Sequence, residues 1–376
     1  MTPGAKGKDS GTAIYRDKKR YLWLLSLTVP LVPVATVYLY FALGQWVWVT
    51  PLPMLHFFLV LPVLDLIFGE DKTSPPLDAI EELERDQYYR ILLFVSVPLF
   101  WLGMLYPAWL VGTQDLPWWS VIVLAIGVGF SSGTAITVGH ELGHKASKLD
   151  RFFALFANAV SGYGHFRVEH NRGHHTWVAT PQDPASARLN ESVYRFAARE
   201  IPGTISRGWR QEQERLSRKG LSPWHWSNEI LQGYCLTIVV DLILVAAFGW
   251  IMVPFLLIQN FVGWYALTEA NYVEHYGLKR KLNANGRYEP VQPYHSWNTY
   301  HTVSNLMLFH LQRHSDHHAN PMRPYQALRS FAELPSLPSG YPGAFVLAAI
   351  PPLWFRIMNP KVLALTKGDE QRINTG

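Results

Sequence analysis

The chain has 376 residues, of which 49% are hydrophobic and only 16% charged, with a formal net charge of +5. Soluble domains carry about 25% charged residues, so an ordinary soluble multidomain protein is excluded. The single cysteine, Cys235, excludes an internal disulfide, an iron–sulfur cluster, a cysteine-rich zinc site and a rubredoxin within the chain, each of which needs at least two.

In chain order, a basic segment, 1–20, comes first. Six apolar stretches then lie near 21–43, 46–68, 91–112, 118–139, 231–250 and 252–270. Each is long enough for a bilayer span, which takes roughly 17–25 residues. The first is too long for a cleaved leader and is followed almost at once by a second span. Trp46, Trp48, Trp101, Trp109, Trp118, Trp119 and Trp250 lie mostly near span ends, as interface aromatics do. The acidic stretch 68–90 reads as a solvated loop and helix start. Asp241 lies in the middle of the fifth span and is either functional or a neutral, helix-bonding acid. The apolar run 346–358 is short and proline-broken, and is expected to pack under the membrane or lie in its interface.

The fold class is therefore an all-α integral membrane protein: six transmembrane helices with a helical and loop cap. Helices one to four occupy 21–139 and helices five and six 231–270, with cap blocks at 140–230 and 271–376. All 33 Lys and Arg fall in 1–20, 72–90, 145–219 and 279–372. With six spans those segments share one side, and the positive-inside tendency makes that side cytoplasmic. The positive charge then faces anionic lipid. No basic cluster is interleaved with stacking aromatics, so nucleic-acid binding is not expected.

Nine of the 15 histidines form four groups beyond the span ends: His140 and His144; His170, His174 and His175; His275; and His314, His317 and His318. Residues four apart on a helix share a face, so His140 and His144 can grip one ion. Adjacent residues diverge by about 100°. The pairs His174/His175 and His317/His318 should therefore point at different things. This predicts two metal ions, each taking four or five ligands with room for a small molecule. Iron suits several imidazoles and open positions.

His140-Glu141-Leu142-Gly143-His144 also matches the zinc-metalloprotease pattern, with Glu141 as general base. That reading leaves most of the clustered histidines idle. A metal transporter or storage protein would place polar ligands in mid-membrane, whereas these lie past the span ends. His56, His165, His225, His295, His301 and His310 read as packing or hydrogen-bonding residues.

HELGHK at 140–145, EHNRGHH at 169–175, NYVEHYG at 271–277 and LQRHSDHH at 311–318 resemble the membrane-bound alkane 1-monooxygenases, within the membrane fatty-acid desaturases and hydroxylases. FGED at 68–71 and the segments 162–183 and 287–343 resemble that family too, so the likeness runs from Lys18 to Pro360. It implies a non-haem centre of two Fe ions on the nine histidines, on the cytoplasmic side of the bacterial inner membrane. It implies conversion of an n-alkane, O2 and two electrons to a 1-alkanol. It also implies electrons from rubredoxin, itself reduced by an NADH-dependent rubredoxin reductase. An acyl desaturase, or a hydroxylase of aromatic methyl groups, is the neighbouring alternative.

Four acids adjoin ligand histidines: Glu141, Glu169, Glu274 and Asp316. They are expected in the outer shell, taking distal imidazole N–H groups. Phe57, Phe58 and Trp101 are candidates for the substrate channel. Lys279, Arg280 and Lys281 are candidates for docking the electron carrier.

Overall fold

Backbone polar groups in lipid must pair within their own segment, so apolar stretches of this length form helices. A computed structural model describes residues 15–331 and 333–376; positions 1–14 of the basic segment lie outside the described residues. Among the described residues the elements are helical, joined by turns and a few isolated bridges.

Four long helices come first: α1 (Leu22–Ala42), α2 (Val47–Phe68), α3 (Gln87–Thr113) and α4 (Trp118–Gly143). A short amphipathic helix, α5 (Lys148–Ala159), follows. Then come α6 (166–177), α7 (Val193–Ser217), α8 (Glu229–Phe248) and α9 (Met252–His275). The cap ends in α10 (Thr302–Met307), α11 (His314–Ala319), α12 (Tyr341–Ala348) and α13 (Pro351–Thr366), the last two bent by 116° at their junction. Helices α1 to α4 and α8 are each long and apolar enough to cross a membrane, which makes this a multi-pass membrane protein.

The sixth expected span forms α9, but it is less apolar than the other five because it carries Gln259, Asn260, Thr268 and Glu269. Gln259, Asn260 and Thr268 have structural partners. Gln259 Nε2 donates to the Val160 carbonyl (3.1 Å) and Asn260 Nδ2 to Asp241 (3.1 Å). Asp241 thus ties α8 to α9. Small residues let α4 and α9 approach closely: a Cβ at Gly133 would lie 3.0 Å from the Gly263 carbonyl. This pair carries the first and third histidine motifs at its ends.

The segment 148–165 does not stay beside the charged ends of the spans. At its start Arg90 of α3 holds Asp150 with two hydrogen bonds (2.8 and 3.1 Å). At its end Trp101 Nε1 donates to the Phe156 carbonyl (3.1 Å). Arg90 and Trp101 are about 16 Å apart along α3, at 1.5 Å per residue. Helix α5 therefore dips between α3, α4 and α8, and the chain climbs back to α6. Its end carbonyls are capped by Thr237 (on Ala159, 2.9 Å) and Gln259, as irregular backbone at that depth requires.

Two buried side chains fix the cap. Asp65 of α2 accepts from the backbone N–H of Val303 (3.1 Å) and Ser304 (2.9 Å), capping α10. The Arg313 guanidinium, 1% exposed, donates to the carbonyls of Asp71, Thr73 and Leu328 at 2.8–2.9 Å. It pins the acidic loop after α2 under α11.

Candidate metal centre

The nine histidines meet where α4, α6, α9 and α11 converge. His140 sits in the last turn of α4 and His144 just past its end. His275 closes α9. His314, His317 and His318 lie in α11. In α6 the helix widens over His170–His174 into a π turn, with the His175 N–H donating to the His170 carbonyl. This i→i+5 bond sets His175 over His170, so their Nε2 atoms lie 3.0 Å apart. An ordinary α-helix would turn the fifth residue away.

The imidazoles fall into two groups. His140, His144, His170, His175 and His317 form one; His174, His275, His314 and His318 form the other. In each, one ring nitrogen per residue lies within 4.8 Å of all the others. Both adjacent pairs are divided between the groups. In the first group Nε2 of His317 lies 2.9 Å from that of His140 and 3.0 Å from that of His175. In the second, His314 lies 2.8 Å from His318 and 3.1 Å from His275, and His318 lies 3.3 Å from His174.

These distances suit metal binding. A metal–imidazole bond is about 2.1 Å, so two nitrogens at right angles on one ion lie roughly 3 Å apart. Nε2 of His144 is buried with no hydrogen-bond partner, as a ligand atom aimed at an ion would be. Burial pushes His144, His170, His175, His314, His317 and His318 well below the usual imidazole pKa. They are held neutral, the form that binds metal. The two groups could each hold an ion.

His174 behaves differently. Its Nδ1 lies 3.0 Å from Oδ2 of Asp183. Burial pushes this imidazole down, but Asp183 and Glu169 outweigh that and hold it above its usual value. Burial likewise pushes Asp183 up, and His174 and Arg207 outweigh it, holding the carboxyl far below the usual range. Arg207 grips Asp183 (2.7 Å) and Glu169 together. Asp183 is thus the carboxylate that orients a histidine of the site. The sequence reading missed it because it stands nine residues from its partner.

Three of the four acids expected in the outer shell have partners other than an imidazole. Glu141 lies by the Tyr325 N–H (3.3 Å) and Lys145 (3.5 Å) and lines a separate cavity with Arg90 and Asp150 rather than the cleft beside the histidines, which removes the general base of the protease reading. Glu169 belongs to Arg207. Asp316 is held by Arg323 (2.6 Å) and the Arg329 N–H (2.9 Å), organising the turn after α11. Glu274 accepts from Tyr341 Oη (2.6 Å) and sits 3.2 Å from Nε2 of His314, the nitrogen on the inner side. It is an inner carboxylate rather than a support behind a ring.

Next to the histidines lies a small cleft lined by Thr137, His140, His170, Leu267, Glu274 and His314. A second, apolar cleft, lined among others by Phe57, Gly133, Ala270 and Phe345, shares Thr137, Leu267 and Leu311 with it. Phe57 therefore lines the approach. Phe58 packs beside it on Phe130 (ring centroids 4.5 Å). Trp101 does not: it lines an outward groove between α3, α5 and α8.

The basic run past α9 is also redistributed. Arg280 is 7% exposed and donates to the Thr176 carbonyl (2.8 Å), so it is part of the fold rather than a docking cation. Lys281 is paired with Asp369 (2.5 Å), and Lys279 is half-buried. His310, outside both groups, bonds the Tyr325 carbonyl and packs edge-on to Trp23. His165 pairs with Tyr234 (2.6 Å), and His295 with Glu289 (3.1 Å).

A membrane bundle closed over two histidine groups that could each hold a metal ion defines a class of protein, and the Fatty acid desaturase family model matches residues 116–346. Within that class, this chain belongs to the alkane 1-monooxygenase family. It is 50% identical over 360 residues to the alkane 1-monooxygenase of Pseudomonas putida, covering 96% of this chain and 89% of that protein. Alkane 1-monooxygenase 1 of Alcanivorax borkumensis is 48% identical over 366 residues, covering 97% and 90%. The Acinetobacter baylyi alkane 1-monooxygenase is 40% identical over 368 residues, covering 95% and 88%.

Proposed function

We propose that this chain hydroxylates the terminal methyl of n-alkanes at a di-iron centre held by the nine histidines. The observation that supports it most is the division of both adjacent histidine pairs between two groups of five and four imidazoles. In the reaction one oxygen atom of O2 enters a C–H bond. The other leaves as water with two protons and two electrons.

A methyl C–H bond offers nothing to acid–base chemistry, so the chain's own residues position and exclude rather than react. Bound iron would supply the reduction of O2 and the oxidising power to break that bond. The two joined clefts carry no charged side chain beyond Glu274 at the inner end. They suit a hydrocarbon rather than a thioester or headgroup-bearing acyl chain. The clefts are narrow as they stand, so an alkane entering past Phe57 and Ala270 would do so end-on, presenting its end rather than its middle to Thr137 and the histidines. Glu274, with Tyr341 donating to it, is the protein carboxyl placed to handle a proton beside the reacting carbon.

The electron donor in this reading is rubredoxin, reduced by an NADH-dependent reductase. The enzyme lies in the bacterial inner membrane with the histidine side cytoplasmic, the side that carries the Lys and Arg. The test is direct. Membranes containing the chain, supplied with rubredoxin, its reductase, NADH and octane, should form 1-octanol. No 1-octanol, or oxidation only at internal carbons, contradicts the proposal.

A further inference from the structure

Along α5, two cavities meet at Phe152. One is lined by Lys148, Arg151, Arg167, Trp226 and Glu229. The other is apolar and is lined by Val97, Leu105, Phe153, Phe156, Leu236 and Val240, from α3, α5 and α8. We infer that together they form a binding site for one anionic phospholipid, its phosphate in the basic cavity and an acyl chain in the groove.

Charge supports this occupant. Three cations line the first cavity against one carboxylate, Glu229, which Arg167 already pairs. Among the described residues neither Lys148 nor Arg151 is in an ion pair, whereas neighbouring Arg90 is fully engaged by Asp150. The Arg167 side chain is half-buried, and its guanidinium is held below its usual value by that burial and by the nearby Arg172 and Arg151. Positive charge this crowded is relieved by an anion.

Depth supports it as well. Trp226 (78% exposed) lines the basic cavity, and Trp224 (74% exposed) precedes it by two residues, as interface aromatics do at headgroup level. The groove runs from Val97 to Leu105 along α3, about 12 Å at 1.5 Å per residue, away from the charged ends. A headgroup at Arg151 therefore has its tail beside Phe153, Phe156 and Val240. A soluble acidic partner could reach the cations but has no use for the groove.

The test uses the full-length protein purified in detergent. Bound lipid is quantified by mass spectrometry after exchange against dioleoyl-phosphatidylglycerol or dioleoyl-phosphatidylcholine. About one phosphatidylglycerol per chain should survive delipidation, and phosphatidylcholine should not. A basic residue contributes roughly fivefold to binding an anionic lipid. Lys148→Gln with Arg151→Gln should thus weaken retention about 25-fold. Arg218→Gln with Lys219→Gln, the same charge removed elsewhere, should leave it unchanged. Val240→Trp, filling the groove, should lower retention with the cations intact. Inorganic phosphate at 10-fold excess should not displace the lipid. Equal retention of both lipids overturns the inference. So does equal loss in both charge variants, retention unaffected by Val240→Trp, or full displacement by phosphate.

Discussion

Nδ1 of His174 lies 3.0 Å from Oδ2 of Asp183, and Arg207 holds that carboxylate from the other side at 2.7 Å. His174 alone among the nine histidines has a carboxylate on its Nδ1. Supports of this kind fix the tautomer and ring orientation of a ligand, and losing one typically costs 10–100-fold in metal affinity. Asp183→Asn should weaken metal in the four-histidine group by that factor and leave the five-histidine group loaded. Chelator titration followed by metal analysis reads this; equal loss from both groups would contradict it.

Glu200 of α7 gives a pH signature. It is fully buried and accepts from Thr268 Oγ1 (2.9 Å) and Asn271 Nδ2 (3.2 Å). Burial outweighs these bonds and pushes its carboxyl up to about 7. Between about pH 4.5 and 7 the folded state keeps a proton that the unfolded state has released. Stability from this group is therefore present below 4.5, falls as pH rises to 7, and is flat above. At about 1.4 kcal/mol per pKa unit the loss is at most about 3–4 kcal/mol. Glu200→Gln should raise the thermal midpoint at pH 8 and not at pH 4.5. An equal shift at both values would rule this out.

Chain length should respond to the outer cleft. Ala270→Phe fills it beyond the point where the two clefts join. Turnover of hexadecane should fall at least 10-fold more than turnover of octane, measured as 1-alkanol by gas chromatography. Parallel losses would place the tail elsewhere.

The charged face can be tested at Lys279, since Arg280 is built into the fold. Lys279→Glu should raise the half-saturating rubredoxin concentration severalfold while leaving the maximal rate intact. Added salt should do the same to the unaltered protein, because exposed charges are screened within about 8 Å at 0.15 M. An unchanged half-saturation value would leave these cations facing lipid only.

Much of this architecture is legible in the sequence, and the failures have physical causes. The spans read out because lipid allows little besides an apolar helix. The two groups read out because adjacent histidines on a helix diverge, and His317 and His318 do. His174 and His175 diverge too, but on a π turn that no residue pattern announced. The dip of α5 did have a signal: no charged residue occurs in 152–166. It was hidden because Lys148, Asp150 and Arg151 mark the helix start as polar. Arg280 sits in a basic run that looks exposed, and only the packing of the chain around Thr176 and Tyr288 shows it buried.

Iron content of the purified protein and of two single variants tests the central claim most directly. The unaltered chain should hold two irons, with nitrogen ligation seen by X-ray absorption. His317→Ala and His318→Ala should each fall toward one iron, from different groups, and lose 1-octanol formation. A single zinc per chain, or two irons with normal turnover in His318→Ala, would contradict the account.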